Sequence, residues 1–180
     1  TPPPSSIQWD EGKEDPSSTA AGSVESADPY SEVIALYGQG NFQQAAKGAR
    51  DLRLSAAPQA SFRSAYWEAA SFFAQGLALP AIRTLEKTAP DPAAPEYRAS
   101  DFLAARIWME LSEWDKALAA LGRYGTPDAP LEDRQVSLIL SSVCYDSLKK
   151  KADSRKALEA AVALDPASDL GKEAAARLGK

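Results

Sequence analysis

The chain has 180 residues, no histidine, a single cysteine and a formal net charge of −5. This length is sufficient for one hydrophobic core that needs no metal or disulfide to stabilise it. The missing histidines exclude the commonest general base and most zinc sites, and we expect neither a metal nor a cofactor. Cys144 has no second cysteine to pair with, and we expect it to lie on a buried helix face as a small apolar residue. No run of about 18 apolar residues occurs, so no transmembrane segment is predicted.

Residues 1–28 differ in composition from the rest of the chain. They are rich in Pro, Ser and Thr, with Lys13 as the only basic residue against six acidic ones, Asp10, Glu11, Glu14, Asp15, Glu25 and Asp28. This composition predicts an irregular acidic arm or linker. Ile7 and Trp9 interrupt it, and they are either incidental or anchors that dock on a protein surface.

The remaining residues carry equal numbers of basic and acidic side chains. A body without a basic field argues against nucleic acid as a partner. From residue 29 onward, apolar residues recur with helical spacing and no segment shows the alternation of a strand, which predicts an all-α fold. Glycines and prolines separate the segments. The predicted helices are 29–38, 42–54, 59–75, 78–87, 96–111, 114–124, 131–148, 153–164 and 168–178.

The apolar pattern of these helices repeats at a fixed interval. At a shift of 36 residues, Tyr66 meets Phe102, and Ala69 meets Ala105. The same shift also aligns Phe72 with Trp108, Phe73 with Met109, Ala81 with Ala117 and Leu85 with Leu121, and a fourth copy follows at a shift of 37. A period of this length is typical of an α-solenoid. We therefore predict about four helix–turn–helix repeats plus a C-terminal capping helix in a domain of residues 29–178, preceded by the arm 1–28.

The repeat resembles the tetratricopeptide repeat (TPR) family, and its Ala-rich helices resemble bacterial envelope proteins of that family. The residues that carry the resemblance are Ala69, Phe72, Gly76 and Ala81, the turn Gly40-Asn41-Phe42 and the closing Ala163-Leu164-Asp165-Pro166. The resemblance implies a concave groove, lined by the first helix of each repeat, that binds a peptide or a helix of a protein partner. It also favours a periplasmic or outer-membrane-tethered lipoprotein, with a cytoplasmic location as the alternative.

Carried over by position, the resemblance assigns thirteen residues to the groove. They are Tyr30, Ile34, Tyr37, Arg63, Tyr66, Ala70, Phe73, Phe102, Arg106, Met109, Glu110, Ile139 and Val143. The Lys and Asn pattern by which co-chaperones of the family bind a terminal carboxylate is absent, so a different peptide is expected.

Two functions follow as hypotheses. The first is a non-catalytic adaptor or scaffold within a larger assembly, because no phosphate loop, nucleophile elbow or metal-ligand cluster appears in the sequence and no enzyme is therefore predicted. The alternative is a structural or oligomerisation module of a larger protein. In that module the arm would occupy the groove in cis or in a neighbouring chain, with Ile7 and Trp9 as anchors and its acids paired with Arg63 and Arg106.

Overall fold

The computed structural model describes residues 28–55 and 61–179, and within these ranges the chain forms helices and no strand. The all-α prediction is therefore confirmed for the described residues. The helices are α1 Ser31–Gly38, α2 Phe42–Ser55, α3 Ser61–Ala74, α4 Ala78–Glu86, α5 Tyr97–Glu110, α6 Trp114–Tyr124, α7 Leu131–Ser147, α8 Lys151–Leu164 and α9 Asp169–Leu178.

Each helix packs against the next one along the chain. The odd-numbered helices α1, α3 and α5 also contact one another in order, and α9 packs against both α7 and α8. This successive packing is consistent with a helical solenoid of four helix pairs followed by one further helix. The helices α1, α3, α5 and α7 are called the first helices of units one to four below, and α2, α4, α6 and α8 are called the second helices.

The turns inside the four units have the same geometry. Each contains one residue with a positive φ, namely Gly40, Gly76, Ser112 and Lys149, at intervals of 36, 36 and 37 residues. The next residue donates its N–H to the carbonyl five positions back, as in Leu77 to Phe72 at 2.9 Å and Glu113 to Trp108 at 2.9 Å. A left-handed residue with this bond closes a helix and reverses the chain. The repeat of the apolar pattern in the sequence therefore corresponds to a repeat of the turn between paired helices in the structure.

Small residues occupy the helix crossings in every unit. Val33, Ala69, Ala105 and Ser142 are buried on the four first helices, and Ala45, Ala81, Ala117 and Ser154 are buried at matching places on the second helices. A small side chain at a crossing lets two helix backbones approach closely, while larger neighbours fill the grooves on either side. Cys144 is also buried, and this burial raises the pKa of its thiol.

The last helix is attached by polar and apolar contacts together. The buried amide of Gln135 donates to the carbonyls of Ala161 and Asp165, at 3.0 Å each. The hydroxyl of Ser168 caps α9 by accepting from the N–H of Gly171 at 2.9 Å. Beneath these bonds an apolar cluster joins α7, α8 and α9, and its buried members are Ile139, Leu158, Ala161 and Ala174. Helix α9 thus covers apolar surface of unit four.

Candidate functional site

Two adjoining cavities run along the first helices. The larger, of about 640 Å³, lies beside the turns of units one and two, and its lining includes Tyr37, Phe42, Phe73, Arg106 and Glu110. The smaller, of about 410 Å³, lies between α5 and α7 and is lined by Phe73, Phe102, Arg106, Met109, Glu110, Trp114, Val136, Leu140 and Val143. They share Phe73, Arg106 and Glu110, so they form one surface, called the inner groove below.

Arg106 is the central charged residue of the inner groove. Its guanidinium carbon lies 5.4 Å from the ring centroid of Phe73 and 6.0 Å from that of Phe102. Contacts of this kind hold a guanidinium against the faces of aromatic rings. Within the described part of the chain, no carboxylate lies within ion-pair distance of Arg106, and Glu110 has no cationic partner either. Two opposite charges are therefore presented to solvent one helical turn apart.

Apart from Arg106 and Glu110, the walls of the smaller cavity are apolar. Val136, Leu140 and Val143 follow one another at helical spacing on α7 and face Met109 on α5. The indole of Trp114, at the start of α6, also lines this cavity. An open apolar surface with a few convergent charged groups is suited to binding apolar side chains of a partner and fixing their orientation.

Seven of the thirteen predicted groove residues line the inner groove. They are Tyr37, Phe73, Phe102, Arg106, Met109, Glu110 and Val143. Lining residues outside the predicted set include Phe42, Trp114, Val136 and Leu140. The apolar spacing of Val136, Leu140 and Val143 is visible in the sequence, but it does not tell which side of α7 faces α5 and which faces α8.

The structure places Arg63 and Tyr30 outside the groove, contrary to expectation. The Nε of Arg63 donates to both carboxylate oxygens of Glu96, at 3.0 and 2.8 Å, and its two Nη atoms donate to Asp28 at 3.1 and 2.9 Å. Its guanidinium carbon lies 4.3 Å from the ring centroid of Tyr30, which is only 2% exposed. Trp67 donates its indole N–H to Glu96 at 3.0 Å. The guanidinium of Arg63 therefore binds carboxylates of this chain instead of facing the groove.

The electrostatics of this cluster agree with its geometry. The hydrogen bonds from Arg63 and from the N–H of Tyr30 hold the pKa of Asp28 below its usual value. Burial alone would lower the pKa of Arg63, but the bonds to Asp28 and Glu96 outweigh it and raise that pKa further. Asp28 and Arg63 therefore both stay ionised at neutral pH.

Tyr66, Ile34, Ala70 and Ile139 are likewise not in the groove, and Ala70 is buried. Tyr66 packs edge-on to Trp67 with 5.1 Å between ring centroids, and burial together with nearby Tyr37 and Glu96 raises its pKa to about 12. Ile34 is 37% exposed on α1 but lines neither cavity. Ile139 is 5% exposed, because the packing of α8 and α9 encloses that side of α7. The predicted anchors Ile7 and Trp9 lie outside the described residues.

Comparisons with protein families, curated proteins and solved structures find no match to this chain. Within the described ranges, no helix is both long and apolar enough to cross a membrane. Across those same residues, no group of three or more His, Cys, Asp or Glu side chains is arranged to hold a metal ion.

Proposed function

We propose that this protein is a non-catalytic adaptor, a tetratricopeptide-like array that binds a peptide segment of a protein partner in the inner groove. The observation that carries the proposal is Arg106, an exposed cation without a carboxylate partner among the described residues, placed between the two cavities against Phe73 and Phe102. Guanidinium and aromatic groups in a central apolar surface are the groups that contribute most to protein recognition.

The lining defines the kind of peptide expected. Met109 and the apolar side chains of α7 favour two or more apolar anchors in the ligand. Arg106 favours a carboxylate near them, because a charge-assisted hydrogen bond to guanidinium is strong and directional. Glu110, one turn further along α5, favours a basic or donor group on the next position of the ligand. The expected ligand is therefore a peptide that combines apolar anchors with an acidic residue.

The regular repeat supports the tetratricopeptide-like part of the proposal. The four turns recur at intervals of 36, 36 and 37 residues, slightly longer than the tetratricopeptide unit of about 34 residues, and small residues are buried at matching places in every unit. A place in a bacterial cell-envelope assembly stays a prediction from the resemblance. The alternative, in which the acidic arm fills the groove, keeps only one of its two arginines, because Arg63 is already bound by Asp28 and Glu96.

The adaptor function is tested by selecting peptides from a random displayed library on the full chain and measuring their affinities individually. We expect the selected sequences to combine apolar residues with Asp or Glu. Arg106→Glu should weaken them by roughly 10- to 100-fold, since like charges at a contact replace an attractive pair. Changing the acidic residue of the peptide to Lys should restore binding to the Arg106→Glu chain.

The matched control is Arg155→Glu, on the exposed side of α8 far along the chain from the groove. It changes the net charge by the same amount, so it separates a local contact from a general electrostatic effect. Equal affinities for wild type and Arg106→Glu, or equal losses in both variants, would contradict the groove as the binding site.

A further inference from the structure

A second cleft, on another side of the array, is strongly basic. It has a volume of about 370 Å³ and lies among α2, α3 and α4, away from the inner groove. Its lining contains four cations and one anion, Arg50, Arg53, Arg83, Lys87 and Glu68, together with Phe72, Pro80 and Thr84. We call it the basic cleft. The lining has a net charge of +3, whereas the whole chain has a formal net charge of −5. Positive charge is therefore concentrated in this cleft.

Glu68 fixes two of the four cations. Its carboxylate is only 2% exposed, and its Oε1 accepts from the Nε of Arg50 at 2.8 Å. The Nη2 of Arg53 lies 3.0 Å from its Oε2, although this oxygen is buried without a well-formed hydrogen bond. The side chains of Arg50 and Arg53 remain 51% and 31% exposed. Glu68 therefore orders two guanidinium groups that still have N–H donors available to a ligand.

The other two cations have no partner of their own. Arg83 lies in the last turn of α4, and Lys87, four residues further on, is the C-cap residue of that helix. Neither forms an ion pair or a side-chain hydrogen bond within the described part of the chain. Two like charges at this spacing repel each other. The acidic residues beside the cleft in sequence do not relieve the repulsion, because Asp51 lines a cleft between α1 and α2 and Glu86 lines one between α4 and α5.

A folded cluster of this kind lowers its electrostatic free energy when it binds an anion. One carboxylate cannot balance four cations, so the cleft as it stands favours a ligand with more than one negative charge. Guanidinium forks match the oxygen geometry of phosphate, and lysine adds a mobile point charge. The cleft is open to solvent, and Phe72 and Pro80 form the apolar part of its lining.

From this we propose that the basic cleft is a binding site for a small molecule carrying a polyvalent phosphate group, such as a pyrophosphate. In this arrangement Arg50 and Arg53, held by Glu68, bind one side of the anion. Arg83 of α4 and Lys87 at the C-terminal end of that helix bind the other. The site is separate from the inner groove and shares no residue with it. Phosphate binding here would therefore join units one and two at their second helices.

The test is isothermal titration of the full chain with inorganic pyrophosphate at constant ionic strength. We expect saturable binding at one site, weakened at least about tenfold in Arg83→Gln/Lys87→Gln because two charge-assisted contacts are lost. The matched control, Arg155→Gln/Lys156→Gln on α8, removes the same two charges from an exposed helix and should leave the affinity unchanged. Arg106→Glu should also leave it unchanged, so that this proposal and the adaptor function can fail independently.

Three outcomes would overturn the proposal. The first is no saturable binding of pyrophosphate above that of chloride at millimolar concentrations. The second is an equal loss of affinity in the α8 control, which would mean a general charge effect. The third is binding to vesicles that contain an anionic phospholipid, lost in Arg83→Gln/Lys87→Gln, without any saturable binding of free pyrophosphate, because this would assign the cleft to a membrane surface instead.

Discussion

Arg63 and Glu96, separated by 33 residues in sequence, form a two-oxygen ion pair in which Glu96 is largely buried. Asp28 precedes the first helix of unit one, Arg63 lies in the first helix of unit two, and Glu96 precedes the first helix of unit three. The guanidinium therefore connects three successive units through one side chain. We call this set, with Tyr30 and Trp67, the Arg63 cluster.

The first prediction concerns the stability that Glu96 provides. Glu96→Gln leaves the buried side of Arg63 with a weaker acceptor and should lower the free energy of unfolding by about 2 kcal/mol. Urea denaturation of the full chain measures the change. The control is Glu159→Gln, which breaks the exposed pair with Arg155 on α8 and should cost less than about 0.5 kcal/mol. Equal costs in the two variants would mean that the pair of Arg63 and Glu96 contributes no more to stability than an exposed ion pair.

The second prediction concerns the pH dependence of stability. The pKa of Asp28 is depressed in the folded state, so its contribution is present above its ordinary value of 3.8 and is lost as the pH falls through the folded-state value. The difference in unfolding free energy between wild type and Asp28→Asn should therefore be constant above about pH 5 and shrink below about pH 4.

Unfolding curves at a series of pH values measure this difference. Asp146→Asn serves as the control, because Asp146 is exposed and has no ion pair within the described residues. A difference between wild type and Asp28→Asn that does not change between about pH 7 and about pH 2.5 would show that Arg63 does not hold the carboxylate in its ionised form.

The third prediction uses the repeated turns. Ser112 has a φ of 59°, at the place where unit two has Gly76 with a φ of 76°. Because the left-handed region costs a residue with a Cβ about 1 kcal/mol, Ser112→Gly should raise the free energy of unfolding by roughly 0.5–1 kcal/mol. Gly76→Ala should lower it by a similar amount, although no atom lies within 4 Å of the added Cβ.

Gly122→Ala is the control for this pair. Gly122 lies inside α6 with a negative φ and has open space at its Cβ position, so alanine should stabilise the helix there. A loss of stability in Ser112→Gly would mean that the serine side chain makes a contribution larger than the backbone strain. Opposite signs of the change in unfolding free energy for Ser112→Gly and Gly76→Ala, with stabilisation by Gly122→Ala, would show that the two turns are equivalent.

The helices and their period were predictable from the sequence because each unit buries the same small residues. The predicted segments and the observed helices agree closely, for example at α6, which spans 114–124 in both. Helical periodicity identifies the buried face of a helix, and recurrence at 36 residues identifies how the units follow one another. Both signals are local or periodic, so neither requires knowledge of individual tertiary contacts.

The candidate site was predictable only in part because its residues are selected by tertiary packing. Ile139 corresponds to Phe102 at the shift of 37, yet it is buried because it lies in the apolar cluster that joins α7, α8 and α9. Arg63 was expected in the groove, but the carboxylates that engage it are 35 and 33 residues away in sequence. The basic cleft was not predicted either, because its four cations come from α2 and from the C-terminal end of α4, which do not follow each other in the chain.

The Arg63 cluster also means that units one to three share one electrostatic link. Units three and four are joined differently, because the hydroxyl of Tyr124 donates to Asp133 at 2.6 Å and the buried hydroxyl of Ser137 donates to the carbonyl of Leu121 at 2.7 Å. The smaller cavity of the inner groove lies beside this second junction, between α5 and α7. The contacts that hold the first three units together are therefore separate from those beside the smaller cavity, so a change in the Arg63 cluster should affect stability more than the shape of that cavity.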